Sequence, residues 1–286
     1  MILERDGRLV ARFDSSHSRT LEPAKGGAFS MDRGPAGATI RFRLGARGRA
    51  SAIVLGDTVV PRRALGPDEG SVFRVVPLGP VPALRRAALA ASPPLEPGDF
   101  LATDLVELIK LDPSIHLDIR YASSRNFLGA PLYTQARAFL QRPAAEALVR
   151  AGKALHARGY GLLIHDGYRP WYVTKMFWDA TPPAQHEFVA NPATGSRHNR
   201  GAAVDLSLYE IKTGRAVEMP GTYDEFSHRS YPSYEGGTSR QRWHRELLRS
   251  AMEAEGFTVN SSEWWHFDYK DWKRYRIGNV TFERIR

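Results

Sequence analysis

Two short stretches hold the residue types needed for metal chemistry. The first runs Ser196-Arg197-His198-Asn199-Arg200-Gly201-Ala202-Ala203-Val204-Asp205, and the second, far downstream, is Glu263-Trp264-Trp265-His266. His198, Asp205 and His266 supply two imidazoles and a carboxylate, a set that leaves a tetrahedral zinc ion one open position. Glu263 is spare beside the last ligand and is available for proton transfer. The chain has no cysteine, so there is neither a disulfide nor a thiolate ligand, and a metal must rest on His, Asp and Glu.

The spacing then dictates what must carry these groups. Val204, Leu206 and Leu208 alternate with Asp205, Ser207 and Tyr209, which predicts a strand with Asp205 buried. A buried carboxylate is costly unless it is paired or on a metal. Gly201, Ala202 and Ala203 allow backbone to pass close to a packed centre. His198 and Asp205 are seven apart, an odd number that sends them to opposite faces of a strand, so His198 must lie on a turn before it. Glu263 and His266 are three apart and demand a bulge, or a strand that begins after Glu263.

Other elements are readable around them. Ala144, Leu148, Ala151 and Leu155 make one apolar face and Pro143 stands near the first turn, which predicts a helix between Arg142 and Gly159. It feeds Tyr160 to Ile164 as a buried strand and a turn at Asp166-Gly167, placing Arg169 on the rim of whatever that strand points to. Asp166 either orients Arg169 or simply forms the turn. A second helix over about Arg240 to Glu255 carries an apolar stripe of Trp243, Leu247 and Ala251 beside His244, Leu248 and Met252, and Gly256 ends it. Phe257 to Val259 leads as a strand into the second stretch, and Leu105 to Leu108 and Ile115 to Tyr121 also read as strands.

Ser-x-His-x-x-Gly-x-Ala-x-Asp, followed by Glu-Trp-Trp-His and preceded by Asp166-Gly167-Tyr168-Arg169-Pro170, resembles the D-alanyl-D-alanine dipeptidase family of zinc peptidases, over roughly Leu105 to Tyr269. The family is related to the vancomycin-resistance dipeptidases and, more distantly, to D-alanyl-D-alanine carboxypeptidases. The resemblance implies an α+β fold, a central antiparallel sheet with flanking helices. It implies one Zn²⁺ on His198, Asp205 and His266, with Glu263 as general base and Arg169 sharing the developing oxyanion. It further implies that Ser196 and Asp224 hold the carboxylate and amine ends of a small D,D-dipeptide, and that Tyr121 lines the pocket. A carboxypeptidase acting on peptidoglycan stems is the nearest alternative, and a non-catalytic cell-wall-binding protein is the alternative from another class.

Residues 1–76 read as a small all-β module: Leu9 to Phe13 and Thr39 to Leu44 alternate, and Ala52 to Leu55 meets Thr58 to Val60 across Gly56-Asp57. This module resembles the β-rich segment that follows the catalytic domain of serine β-lactamase-like hydrolases. Prolines crowd residues 77–99, which read as a linker, leaving 100–286 for the catalytic domain. At 286 residues and 42% hydrophobic content the chain can bury a full core. Its net charge of +9 is spread along the chain without an aromatic-interleaved basic patch, which argues against a nucleic-acid partner. No membrane span and no signal peptide are visible, so the chain as it stands is expected to be cytoplasmic, or periplasmic if its start is a truncation. The remaining histidines have no partner at metal spacing. Of these, His156 and His244 are expected on solvent faces of the two helices, and the tail from Asp271 has no assigned role.

Overall fold

The computed structural model describes residues 1–14, 17–31, 39–45, 48–63 and 73–285. Its first part is an antiparallel meander of seven strands in sequence order. They are β1 (Ile2–Arg5), β2 (Arg8–Arg12), β3 (Ser18–Ala24), β4 (Ala28–Met31), β5 (Thr39–Leu44), β6 (Ala50–Leu55) and β7 (Thr58–Pro61). The β6–β7 hairpin closes Leu55 onto Thr58 across Gly56-Asp57, where Gly56 supplies a positive φ of 55°. One face of the sheet buries a small core of Ala11, Leu21 and Ile40. Ion pairs of Arg5 and Arg12 with Glu235, and the Glu4 carboxylate on the Ser239 amide, tie it to the rest of the chain.

Residues 77–99, read as a linker, in fact carry the helix α1 (Val81–Ala90). Pro82 falls in its first turn, where a missing N–H costs nothing, and Val81, Leu84 and Ala88 share a face. Ala88 is fully buried in the main core, together with Val75. Prolines in the sequence masked this apolar face.

The second part follows as β8 (Leu105–Glu107), α2 (Leu108–Leu111), β9 (His116–Leu117), β10 (Phe139–Gln141), α3 (Arg142–His156), β11 (Tyr160–Asp166), α4 (Trp171–Ala180), β12 (Ala203–Glu210), α5 (Ser239–Ala254), β13 (Phe257–Val259) and β14 (His266–Tyr269). β8 and β10 form a separate pair. The main sheet has the order β13-β14-β12-β11-β9, antiparallel except at its β9 edge, so the fold is α+β. The strand read over Ile115 to Tyr121 is short, because Arg120–Ala122 turns into a 3₁₀ helix that buries Tyr121.

Leu162, Ile164, Leu206 and Leu208 bury one face of the sheet under α3 and α5. α5 begins with a capping box between Thr238 and Gln241. Its stripe is rotated from the expected one: Trp243 is 46% exposed, while His244 is buried and bonds the Tyr160 hydroxyl and the Glu218 carbonyl. Burying His244 instead of the larger Trp243 works because the imidazole finds partners at both nitrogens. α4 was not legible in the sequence. Trp171, Tyr172, Val173, Thr174, Met176, Phe177 and Ala180 are all buried, and the part-exposed Lys175–Asp179 pair leaves it only a narrow polar stripe in place of the broad one that reveals an amphipathic helix.

Candidate metal centre and active site

The other face of the sheet carries the chemistry. Asp166 on β11 is paired in register with Asp205 on β12, and Asp205 with His266 on β14. Residues directly opposite project to the same face, so the three side chains stand in a row across three strands. A bulge in β11 makes this possible: the register passes from Ile164 opposite Leu206 to Asp166 opposite Asp205, with His165 as the extra residue.

His198 reaches the row from a 3₁₀ turn, Arg197–Arg200, that ends before β12. Ser196 caps the turn by accepting from the His198 amide, Asn199 answers onto the Ser196 amide, and Gly201 closes it with φ 65°. The turn is locked to the Asp166–Pro170 segment: the Arg169 amide donates to the His198 carbonyl, and the Asn199 side chain donates to the Arg169 carbonyl and the Thr174 hydroxyl. Gly167 has to be glycine, since a Cβ there would stand 2.6 Å from the Phe139 carbonyl oxygen. Glu263 lies in a turn before β14 begins at His266. Both geometric demands of the spacing are met.

His198 Nε2 stands 3.0 Å from His266 Nδ1 and 3.2 Å from Asp205 Oδ1, and His266 Nδ1 is 3.0 Å from the same oxygen. Ligands at ~2.0–2.1 Å from a tetrahedral ion would stand about 3.3 Å apart, close to this triangle. The opposite nitrogens fix the tautomers. His198 Nδ1 donates to the Gly167 carbonyl at 2.8 Å, and His266 Nε2 donates to Asp268 Oδ1 at 2.9 Å. Each ring therefore turns a lone pair to the centre, and two facing lone pairs beside a carboxylate require a cation between them. Without a metal ion a proton would fill that role: burial alone would push His266 down, but Asp205 and Asp268 outweigh it and hold the ring protonated up to about 10. Burial likewise pushes Asp205 up, yet His198 and His266 hold it well below the usual carboxylate range. The residues fit a divalent metal on the chemistry of their donors.

A cavity of about 370 Å³ opens over the triad. Glu263 lines it, with Oε2 3.7 Å from His266 Nδ1 and its carboxyl pushed up by burial and by Asp205. Arg169 is buried, and Asp166 Oδ2 accepts from its Nε at 2.9 Å and pairs with its Nη2 at 2.8 Å. Asp166 Oδ1 meanwhile accepts from the Tyr133 hydroxyl and the Gly167 amide, so this aspartate both forms the turn and aims the arginine. Tyr121 lies inside an aromatic cluster and also reaches the cavity, where its hydroxyl donates to Asp224 Oδ1 at 3.1 Å. Asp224 holds a left-handed φ of 63°, and its Oδ2 is shut from solvent with no hydrogen-bond partner. Burial and the nearby Asp205 push its carboxyl up to about 7. Ser196 and Trp265 complete the wall.

Several functional neighbours were missed in the sequence. Asp268 fixes His266 and is itself paired with Arg197; it shares a strand face with His266, two residues on, which was the available signal. The Tyr223 hydroxyl donates to Asp205 Oδ2 at 3.2 Å, and nothing in its local sequence marks it. The tail from Asp271 has a place after all: Trp272 lines the cavity, and the backbone of Gly278 bonds Asn199 and Trp171.

A His–Asp–His centre with a neighbouring glutamate, on the open face of an antiparallel sheet, has the parts of a metal-dependent hydrolase. Residues 101–282 match the family model described as D-ala-D-ala dipeptidase, of the M15 peptidases. The chain belongs to that family and is a peptidase. The D-alanyl-D-alanine dipeptidase of Escherichia coli (strain K12) is 35% identical over 166 residues, 58% of this chain and 84% of that protein. The D-alanyl-D-alanine dipeptidase of Enterococcus faecium is 35% identical over 182 residues, 56% of this chain and 90% of that protein. The solved structure of the LdcB LD-carboxypeptidase aligns with a TM-score of 0.35 at 19% identity, over 64% of this chain and 72% of that one.

Proposed function

We propose that the protein is a zinc-dependent dipeptidase that hydrolyses D-alanyl-D-alanine to free D-alanine. The observation that carries this reading is Asp224: a carboxylate oxygen without a partner, closed off from water in the same cavity as the triad and Glu263. Such an oxygen is matched by an ammonium group. A free amine one residue from the scissile bond is what distinguishes a dipeptide from the end of a longer chain.

His198, Asp205 and His266 would hold the zinc ion, which supplies Lewis-acid activation of water and of the peptide carbonyl. Glu263 takes the proton from the attacking water and delivers it to the leaving amine. Its raised pKa favours both halves of that transfer. Arg169, fixed by two contacts to Asp166, presents a permanent cation to the oxyanion of the tetrahedral intermediate. Tyr121 holds Asp224 through Oδ1 and leaves Oδ2 for the substrate amine. The Ser196 oxygen is engaged as a cap acceptor, and its O–H is available to the substrate carboxylate.

The test is release of free alanine by the purified protein, with zinc and with chelator, from D-alanyl-D-alanine, the L,L-dipeptide and a D,D-terminated pentapeptide. Zinc-dependent release from the D,D-dipeptide alone is expected. Release only from the pentapeptide would make the protein a carboxypeptidase. A zinc-loaded protein inert toward all three, yet retained on peptidoglycan, would make it a wall-binding protein.

A further inference from the structure

A second cavity of about 440 Å³ lies further along the same face of β12, where Ser207 follows Asp205 at the strand's two-residue repeat. Tyr223 is the partition. Its hydroxyl is on Asp205 Oδ2, its ring stacks on His165 at 4.4 Å, and it lines the second cavity but not the catalytic one. Ser207, Trp264, His165 and Tyr223 form a buried floor.

This floor is short of acceptors. The Trp264 indole N–H is shut from solvent and has no hydrogen-bond partner, and among the described residues the Ser207 hydroxyl makes no hydrogen bond although the residue is only 5% exposed. Arg120 adds a guanidinium whose Nε is on Asp118 and whose Cζ lies 5.5 Å from the centre of the Tyr223 ring. The exposed rim adds an opposite charge. The carboxylate of Glu218 receives one long contact, 3.5 Å from Gln241 Nε2, and pairs with no cation among the described residues. An unsatisfied buried donor costs about 1–3 kcal/mol, so the Trp264 N–H, with the Ser207 hydroxyl and the Arg120 guanidinium beside it, favours a ligand that supplies acceptors.

We propose that this cavity is a second binding site, for a small zwitterion of the α-amino-acid class. Its carboxylate meets Arg120, Ser207 and Trp264, and its ammonium meets Glu218. The volume, no smaller than that over the metal triad, leaves room for such a molecule. The site does not depend on which peptide the metal centre cleaves.

The test is calorimetric titration of the full chain with D-alanine and glycine, and with acetate and methylammonium, which each carry one of the two charges. The amino acids should bind, acetate and methylammonium at least tenfold more weakly. Binding should survive Asp224→Asn, which alters the catalytic cavity, and weaken at least tenfold in Ser207→Leu and Glu218→Ala. Glu218 is on the exposed rim, so that variant folds even if Ser207→Leu does not. Binding that is lost in Asp224→Asn and kept in Glu218→Ala would place the amino acid in the catalytic cavity and overturn the proposal. No heat with any amino acid, or acetate binding as well as alanine, would overturn it too.

Discussion

Replacing Asp224 by asparagine removes one charge and almost nothing else. Asparagine tolerates the left-handed φ of 63°, and its amide oxygen can still accept from the Tyr121 hydroxyl. The group lost is the unpartnered Oδ2, read here as the anchor of the substrate ammonium. A hydrogen bond to a charged group contributes about 1.5–3 kcal/mol. At 1.4 kcal/mol per tenfold, kcat/KM for D-alanyl-D-alanine should fall about 10- to 150-fold. For the N-acetylated dipeptide, which has no ammonium, it should hardly change. The informative quantity is therefore the ratio of kcat/KM for the free and the N-acetylated dipeptide, measured side by side in both proteins. If that ratio is the same in the variant, Asp224 does not hold the amine and the dipeptidase reading loses its support. The same substitution has a stability signature in the chelator-treated protein. The carboxyl pushed up to about 7 takes up a proton on folding between the usual carboxylate pKa and that value. The contribution of this carboxyl to stability is then greatest at low pH and falls as pH rises through this window, by at most about 4 kcal/mol. Asp224→Asn should abolish that fall in urea melts followed from acidic to neutral pH.

Glu263→Gln should retain zinc by metal analysis while kcat falls about 10²- to 10⁴-fold, and near-normal turnover would remove Glu263 as the base. Asp268→Asn takes the charged acceptor from His266 Nε2 and should weaken zinc about 10- to 100-fold in competition with a chromophoric chelator; unchanged affinity would show that Asp268 does not tune the ligand. Removing residues 1–98 would strip Val75 and Ala88 from the main core, together with the Val75–Phe127 and Leu78–Ala180 backbone bonds. That fragment should melt well below one that begins at residue 73, and equal melting temperatures would show that α1 is dispensable.

Composition and spacing were enough to name the triad, because metal chemistry needs particular side chains and the chain has no cysteine to offer instead. The parity of a strand was enough to require a turn at His198 and a strand that begins after Glu263, and period two revealed β12, since both are local consequences of backbone geometry. Long-range packing decided the rest. No local pattern shows that His165 is a bulge residue, that Tyr223 comes from a distant loop to bond Asp205, or that Asn199 joins two turns. α4 left little periodic trace because only a narrow stripe with Lys175 and Asp179 is part-exposed, and α1 was hidden by the prolines around it. The sequence by itself determined which atoms can bind a metal. Only the tertiary structure decided which tautomers they adopt and which carboxylate oxygen is left without a partner, because both depend on groups brought together from separate parts of the chain.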